Sequence, residues 1–376
     1  MALSGFTTAN GRRRERNRVR NRLPRRVCII AICICCSFIT GGCWDYHDIN
    51  HRSIPLIIGI SKGKEKAYSV SLQIPIPAEK KLTVKVISSE GNTASEAVNN
   101  IRINVENYID LLSVQLIVIS QDLAQEGIKE ELANTIRSRN FSPKALLAIT
   151  NGDMEQLLNN SKQAVTHDVT TFYKFSNKRA GWTPKTAKTR LIDVFASTRS
   201  YTQDVMVPII KPGRETVLDF DGSALLNKGT MVGKLNVDET LIVNVVSNRY
   251  YGADVEVLQN GSATIRSARM KWSSSMTGGR PVITGKLFLK ASLTESRSGI
   301  ARSEYKKELE QLFQSRLERV TNKLLQSGCD PIGFGNHFRS EIPFHKLANW
   351  RTDYYPKLQV NYRVHAEFDN LGSLVQ

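Results

Sequence analysis

The sequence predicts an α+β protein of three dissimilar domains, each a mixed or antiparallel sheet with helices packed on it. Strands and helices interleave in the first half of the chain, a β-rich stretch begins at Val205, and a long amphipathic helix near the C-terminus precedes an alternating strand. We place the domains at residues 43–200, 201–250 and 251–376. The boundaries lie near Ser200 and Tyr250, and no clear Pro/Gly linker marks either of them.

The first predicted domain opens with a β-hairpin. An apolar run from Ile54 to Ile60 and an alternating run from Tyr68 to Ile74 flank the turn at residues 61–64. A strand is expected from Leu82 to Ile87. Thr93 then has the position of a helix cap, since Glu96 follows it by three residues.

The rest of this domain continues the alternation of strands and helices. Buried strands are predicted from Ser113 to Ser120 and from Ala145 to Thr150, with a helix from Leu123 to Arg137 between them. A short helix follows near Met154 to Leu158, and Thr189 to Ser197 has a helical pattern.

The second domain is predicted to be β-rich from Val205 to Val246. Strand patterns continue into the third domain, at residues 255–257, 263–265 and 282–291. Glycine- and proline-containing turns separate several of these segments.

The clearest periodicities lie near the C-terminus. A helix is predicted from Ser303 to Gln326, with its charged face, which includes Lys323, in water. The closing strand runs from Leu358 to Phe368, where apolar and polar residues alternate. We expect the apolar helix face to pack on a sheet containing this strand, with Val360, Tyr362 and Val364 turned toward the helix. The helix residues of this predicted contact are Tyr305, Leu309, Leu312, Phe313, Val320 and Leu324.

The N-terminus has the parts of a bacterial lipoprotein signal peptide. Nine Arg and one acid, Glu15, occupy the first 26 residues, and the uncharged segment Val27 to Ile39 leads to Thr40-Gly41-Gly42-Cys43. Thirteen residues rise only about 20 Å as a helix, which is too short to span a bilayer. We therefore predict removal of residues 1–42 and lipid attachment at Cys43. Thr40 departs from the Leu that such sequences usually carry; an ordinary secretory signal or an uncleaved anchor helix are the alternatives.

Cysteine usage is consistent with this processing. Four of the six cysteines lie in the segment predicted to be removed, which leaves Cys43 and Cys329 in the mature chain. An acylated Cys43 leaves one thiol, so neither an intramolecular disulfide nor a tetrathiolate metal site is expected. We interpret Cys329 as a packed thiol.

The charge of the mature chain is moderate. Residues 43–376 carry 43 basic and 34 acidic side chains, a net charge of +9 spread along 334 residues. A nucleic-acid surface requires a localised basic patch, and no basic cluster is interleaved with aromatic residues, so nucleic acid is not an expected partner. A basic surface is attracted to an anionic bilayer, although a generally solvated surface explains the same composition.

Several short segments form an ordered series along the mature chain. The N-terminal segments are Cys43-Trp44-Asp45, Ile49-Asn50, Gly59-Ile60, Val70 to Pro75, Glu90-Gly91-Asn92-Thr93, Ile119-Ser120 and Leu123 to Ile128. The later segments are Gly222-Ser223-Ala224, Met231 to Leu235, Asp330 to Gly335, Trp350 and Tyr355-Pro356. No single segment is specific, but their order, which covers nearly all of the mature chain, resembles that of the Ger(x)C lipoprotein family, the C-subunits of spore germinant receptors.

The resemblance implies a three-domain mixed α/β protein that is lipid-anchored through Cys43 outside the inner membrane of the spore. It implies integral-membrane A and B subunits as partners, and a non-catalytic role needed for nutrient-triggered germination. Cys43 is then the one functional residue, and no catalytic residue, cofactor or metal is expected.

Other patterns point only weakly to chemistry. His47 and His51 are spaced to share one helix face, as in some zinc sites, but we interpret them as part of a polar segment beside the anchor. Residues 59–64 and 229–234 have three residues between their glycines instead of the four of a phosphate loop, and we interpret both as turns. Gly333-Phe334-Gly335 lacks the third Gly of a dinucleotide site and is predicted to cap the long helix.

Two other functional classes share the predicted anchor. A solute-binding lipoprotein of a membrane transporter is expected to have two similar doubly wound lobes, and the β-rich stretch after Val205 argues against that arrangement. A lipoprotein enzyme is expected to show an acid, a base, a nucleophile or a metal set, and the sequence offers no convincing one.

Overall fold

A computed structural model describes residues 51–78, 81–160, 183–214, 216–250, 253–297 and 299–369. All of these residues belong to one compact unit, Asn50–Gln376. The predicted signal peptide, with Cys43 and His47, lies outside the described residues.

Strands of the described residues form one large mixed sheet, one four-stranded sheet and one small two-stranded sheet. In chain order they are β1 (Arg52–Ser53), β2 (Ile57–Lys62), β3 (Tyr68–Ala78), β4 (Lys81–Gly91), β5 (Tyr108–Ile109), β6 (Leu116–Ser120), β7 (Leu146–Thr150), β8 (Val205–Pro212), β9 (Leu218–Asn227), β10 (Thr230–Leu235), β11 (Asp254–Leu258), β12 (Gly261–Thr277), β13 (Arg280–Ser296) and β14 (Gln359–Phe368).

The helices between these strands are mostly short. In chain order they are α1 (Ala94–Ile103), α2 (Gln121–Glu126), α3 (Lys129–Arg137), α4 (Met154–Asn160), α5 (Leu191–Arg199), α6 (Val237–Val246), α7 (Arg302–Ser327) and α8 (Phe344–Leu347). Within the described part of the chain, no helix combines the length and apolar character needed to cross a membrane.

The large sheet has eight strands in the order β10-β9-β8-β7-β6-β2-β3-β4. Its four central strands are parallel, and antiparallel pairs extend it on both sides. Parallel strands are covered on both faces, which explains why β6 and β7 are almost uninterrupted apolar runs. Helices α1, α2, α3 and α5 cover one face of the sheet, and α4 covers the other.

The N-terminus of α1 forms as its sequence predicts. The Thr93 hydroxyl accepts a hydrogen bond from the backbone N–H of Glu96 at 3.0 Å, and the Glu96 carboxylate accepts one from the N–H of Asn92 at 3.0 Å. Ala97, Val98 and Ile101 of this helix are buried against the sheet.

The four-stranded sheet, in the order β11-β12-β13-β14, belongs to the C-terminal third. A long antiparallel hairpin, β12-β13, is extended by β14, which runs parallel to β13. A parallel neighbour needs a long crossover, and α7 lies in that connection. The fold class is therefore confirmed as a mixture of sheets with helices packed on them.

The hydrogen-bonding pattern crosses one predicted domain boundary. Residues 205–235 supply β8, β9 and β10 to the same sheet as the preceding strands, so the boundary near Ser200 lies between two strands of one sheet. The boundary near Tyr250 separates the two large sheets. The three-domain division stays a prediction.

Helix α7 packs as expected on the inner face of the four-stranded sheet. Tyr305, Leu309, Phe313, Val320 and Leu324 are buried there, whereas Leu312 is only partly buried. On β14, Tyr362 and Ala366 are buried and Val360 and Val364 are partly buried in the same core. The hydroxyls of Thr321 and Tyr362 share a hydrogen bond of 2.6 Å across this contact.

Lys323 is partly exposed, as its place on the charged face predicts, but it also has a partner that the sequence does not indicate. Its ammonium does not simply face water but pairs with the Glu239 carboxylate of α6 at 2.6 Å, and the Glu239 side chain is only 10% exposed. The helical pattern places Lys323 on the charged side of α7, but a pattern within one helix does not show which neighbour approaches that side.

The β-rich stretch predicted from Val205 to Val246 was wrong over its last ten residues, which form α6. Asn236 and Glu239 make a reciprocal capping box, with N–H to side-chain oxygen distances of 2.8 Å in both directions. The run Leu241 to Val246 is mostly β-branched, and all six of its residues are buried. A helix buried all round has no amphipathic period, so its sequence resembles a buried strand.

The single helix predicted from Leu123 to Arg137 is instead two helices. Gly127, at φ 111°, separates α2 from α3. An added Cβ at this glycine would also lie 2.9 Å from the Thr230 hydroxyl oxygen of β10. The apolar spacing continues through the break, so the glycine was the one indication of it.

We predict that Phe313→Ala lowers the free energy of unfolding of residues 50–376 by about 3–5 kcal/mol, because the ring is fully buried between α7 and the sheet. Lys307→Ala, on the exposed side of the same helix, should change it by no more than about 0.5 kcal/mol. Urea unfolding measures both. Similar losses for the two variants would contradict the packing described here.

Candidate functional site

The residues that the sequence analysis singled out do not converge in the described structure. Cys43 and His47 lie outside the described residues, and His51 is exposed. Within the described ranges, no group of three or more His, Cys, Asp and Glu side chains could hold a metal ion.

The two segments compared with phosphate loops are mainly strands, so their interpretation as turns was wrong. Gly59 to Lys62 belong to β2, and Thr230 to Lys234 belong to β10. Gly59 is needed for close packing, because an added Cβ would lie 2.5 Å from the Met154 sulfur of α4.

A network of hydrogen bonds and one ion pair forms a junction centred on two fully buried carboxylates, Asp204 and Asp330. The Asp204 carboxylate accepts hydrogen bonds from Arg351 Nη2 at 2.6 Å and Nε at 3.1 Å, and from the backbone N–H of Asp330 at 2.9 Å. The Asp204 N–H in turn donates to the Asp330 carbonyl at 2.8 Å. Arg351 also donates to the carbonyls of Ser200 and Tyr201 at 3.1 and 2.6 Å.

Asp330 satisfies a turn of the backbone. Its carboxylate accepts from the N–H groups of Gly333, Phe334 and Gly335 at 2.8, 3.0 and 3.3 Å. The Trp350 indole donates to the same carboxylate at 3.1 Å. Four donors thus surround one side chain that is 0% exposed.

Burial dominates the ionisation of Asp330. The low-dielectric surroundings raise the pKa of the carboxyl to about 7, and the nearby Asp204 charge acts in the same direction. The backbone N–H groups lower the pKa by binding the charged form, but their effect is smaller than that of burial. Burial likewise raises the pKa of the Cys329 thiol, which is fully packed as expected.

Two glycines let the backbone close around Asp330. Gly333 adopts φ 78°, and a Cβ on Gly335 would lie 2.8 Å from both Thr202 and Trp350. The prediction that Gly333-Phe334-Gly335 caps the long helix was wrong. Gly328, at φ 66°, ends α7, and the later glycines form the turn that wraps the carboxylate.

This junction is structural in character. Asp204 and Asp330 are both 0% exposed, so a substrate has no route to either carboxylate without opening the fold. Its hydrogen bonds and ion pair connect three segments that are distant in sequence: the loop before β8, the turn after α7 and the turn at Trp350.

A more open feature is a groove of about 340 Å³ between α1 and α3, above β2 and β3. Its floor is apolar, with Ile58, Ile60 and Val98 among its residues. At its rim, Tyr68 donates a hydrogen bond to Glu131 at 2.5 Å, and this bond raises the pKa of the tyrosine to about 12. The groove lining contains no His, Cys or Lys, so it lacks those nucleophiles and bases.

Sequence analysis missed the junction because its partners are far apart in the chain. Arg351 lies 147 residues from Asp204, and Asp330 lies 126 residues from it. The only sequence signal was the motif Asp330 to Gly335, which we had treated as part of a resemblance and not as a carboxylate-binding turn.

Two family models match consecutive parts of the chain. Residues 45–212 match the model described as spore germination protein N-terminal domain. Residues 221–372 match the model described as spore germination B3/GerAC-like, C-terminal. The chain belongs to the Ger(x)C family of spore germination proteins.

Individual relatives are distant but extensive. The chain is 23% identical to spore germination protein KC of Bacillus subtilis (strain 168), over 92% of this chain and 96% of the relative. It is 22% identical to spore germination protein GerQC of Bacillus cereus, over 72% of this chain and 78% of that one. The crystal structure of the GerBC protein matches with a TM-score of 0.56 and 16% identity, over 83% of this chain and 97% of GerBC, which shows a shared fold.

We predict a pH dependence of stability that originates at Asp330. Between its ordinary pKa of 3.8 and its folded pKa of about 7, the unfolded chain is ionised while the folded carboxyl stays protonated. Folding is therefore penalised as pH rises through this window, by a total on the order of 4 kcal/mol. The penalty is constant above it.

Asp330→Asn removes this titration and leaves the neighbouring carboxylate in place. Its free energy of unfolding should improve relative to the unsubstituted chain as pH rises from about 4 to about 7.5. Denaturant titrations of both proteins at several pH values measure the difference. A difference that is independent of pH would contradict the raised pKa.

Proposed function

We propose that this chain is a non-catalytic, lipid-anchored subunit of a spore germinant receptor. In this proposal Cys43 holds it on the extracytoplasmic face of the spore inner membrane, beside the integral-membrane A and B subunits. The subunit is needed for germination in response to the nutrients that its receptor recognises.

One observation carries the proposal: the family match begins at residue 45, two residues after Cys43, and continues to residue 372. Residues 1–42, which the signal-peptide pattern predicts to be removed, therefore lie within the N-terminal stretch that the family models leave unmatched. Relatives that match over most of their length carry the name of spore germination proteins.

The anchor chemistry fits an assembly role. A Cys thiolate is the nucleophile that accepts a diacylglyceryl group, and two or more acyl chains give lasting attachment where one gives marginal affinity. Confinement to the membrane raises the effective concentration of the chain beside other membrane subunits. The partners therefore need only modest affinity for each other.

The character of the folded unit supports a non-catalytic role. The most perturbed carboxyl, that of Asp330, is enclosed in a junction that joins segments of the fold. The two large sheets differ in strand number and order, which does not favour the two similar lobes of a solute-binding lipoprotein.

We predict that Cys43→Ala abolishes incorporation of a labelled fatty acid, because no thiol remains at the modification position. Cys329→Ala is the matched control and should keep the label, since Cys329 is buried within the folded unit. Metabolic labelling followed by isolation of the protein measures both. Persistent label on the Cys43→Ala protein would overturn the anchor assignment.

Deletion of the gene should impair germination in response to a subset of nutrients while leaving spore formation intact. The wild-type gene should restore the response, and the Cys43→Ala gene should restore it poorly, because an unanchored chain is not concentrated beside its partners. Loss of refractility after addition of single nutrients measures the response. Normal germination of the deletion strain with every nutrient tested would contradict the receptor role.

A further inference from the structure

The outer face of the four-stranded sheet carries a cluster of exposed cations. Strand residues alternate between two faces, and the inner face packs against α7. We call a group of five basic residues on the outer side of β12, β13 and β14 the cationic face; they are Arg269, Lys271, Lys286, Lys290 and Arg363, and all are exposed.

The strand register concentrates these charges in adjacent rows. Lys271 pairs with Lys286, and Lys286 pairs with Arg363, so three cations form one row across three strands. In the next row Arg269 lies opposite Phe288, and in the row beyond it Lys290 lies between Ser267 and Glu367.

These cations have few acidic neighbours. Among the described residues, no ion pair joins any of the five to a carboxylate, and only Lys290 lies opposite an acid in register. Elsewhere on the same unit, exposed lysines do pair, such as Lys66 with Glu96 at 3.0 Å and Lys234 with Asp221 at 2.6 Å. This face is distinguished by the alignment of three such cations in one row across adjacent strands.

Like charges directly opposite each other weaken a sheet, because their Cβ atoms are only about 5 Å apart. The row Lys271, Lys286, Arg363 thus works against folding, and the sheet is held by its inner face. An anion shared by the row would offset the repulsion, so the face is suited to a partner that presents many negative charges.

An aromatic ring lies at the centre of the cationic face. Phe288 is 36% exposed, stacks with His365 at a centroid distance of 5.6 Å, and has the Lys271 ammonium 5.3 Å from its ring centre. Aromatic and basic side chains together are typical of surfaces that rest at the boundary between lipid headgroups and acyl chains.

We propose that this cationic face binds an anionic lipid surface. The side chains project from three adjacent paired strands, and so match a planar array of phosphates better than a single enclosed anion. The inference rests on the proposed function in one respect, namely that the chain is held beside a membrane. Cys43 and Arg52 are nine residue steps apart and can be separated by roughly 30 Å, so an anchor alone does not decide which face of the unit meets the bilayer.

The test uses residues 50–376, the compact unit that contains every core cluster described above, so that the lipid anchor is absent. Its partitioning is measured by sedimentation with vesicles of equal parts phosphatidylcholine and phosphatidylglycerol, and with vesicles of phosphatidylcholine alone. We expect preferential binding to the anionic vesicles that weakens as salt is added.

The decisive variant neutralises the central row: Lys271→Gln, Lys286→Gln and Arg363→Gln together. Since each basic residue near an anionic surface contributes about fivefold, the triple variant should lose at least tenfold in partitioning. Its melting temperature should be unchanged or higher, because repulsion within the row is removed. Preserved folding separates lost binding from lost structure.

The matched control removes the same charge from the opposite side, with Lys306→Gln, Lys307→Gln and Arg319→Gln on α7. All three are exposed, and α7 packs on the inner face of the sheet, so none of them belongs to the cationic face. We expect this control to bind nearly as well as the unsubstituted unit. Equal losses in the two triple variants would mean that net charge alone drives binding, and the proposal would be overturned.

Two other results would also overturn it: no preference of the unsubstituted unit for anionic vesicles, or unchanged binding of the Lys271, Lys286, Arg363 variant. Because the tested unit lacks Cys43, these failures leave the lipid-anchor assignment untouched. Loss of fatty-acid label in the full chain tests that assignment independently.

Discussion

The buried pair of Asp204 and Arg351, together with Asp330, is the interaction on which the arrangement of this protein depends. A charge removed from water is costly unless it is paired and every remaining lone pair is satisfied. Here the Asp204 carboxylate is held by two guanidinium nitrogens and a backbone N–H, and Asp330 is surrounded by three backbone donors and an indole. The contacts link residues more than a hundred positions apart, so the sheet that contains β8 and the turn that follows α7 are fixed to each other by geometry that tolerates little variation.

Apolar packing connects the same regions. Alternate residues of β8, β9 and β10 face different cores: Val207, Ala224 and Leu226 join the core beneath α1 and α5, whereas Met206, Leu225 and Leu235 join the core around α6 and α7. A sheet covered on both sides in this way shares its strands between the N-terminal and C-terminal parts. The middle segment is consequently the layer between the two parts, and it gains its stability from both of them.

The sequence was sufficient where one face of an element met water. The closing strand and α7 each have one side in the core and one in solvent, so their periods indicate both the type of element and the side that packs.

The sequence was insufficient where burial was complete or where the partner residue was distant. The run Leu241 to Val246 is buried all round and has no period, and only the Asn236–Glu239 capping pair distinguished it from a strand. The ion pairs of Lys323 and Arg351 involve residues 84 and 147 positions away, and no local pattern encodes such a partner. The lipid attachment predicted at Cys43 rests on the sequence alone, because the motif that indicates it is local.

The alternation along β14 identifies its core-facing residues and, between them, the residues that point outward. Gln359, Asn361, Arg363, His365 and Glu367 are an unremarkable mixture when the strand is taken by itself. Their meaning changes once β13 places Lys286 beside Arg363, and β12 adds Lys271 to the row. A core face tolerates only apolar residues, so one strand is enough to recognise it. A charged face becomes visible only when the register aligns several strands. The polar residues of this protein therefore serve two purposes. The buried carboxylates connect segments inside the folded unit, and the cationic face presents unpaired charge at a surface that an anionic membrane can contact.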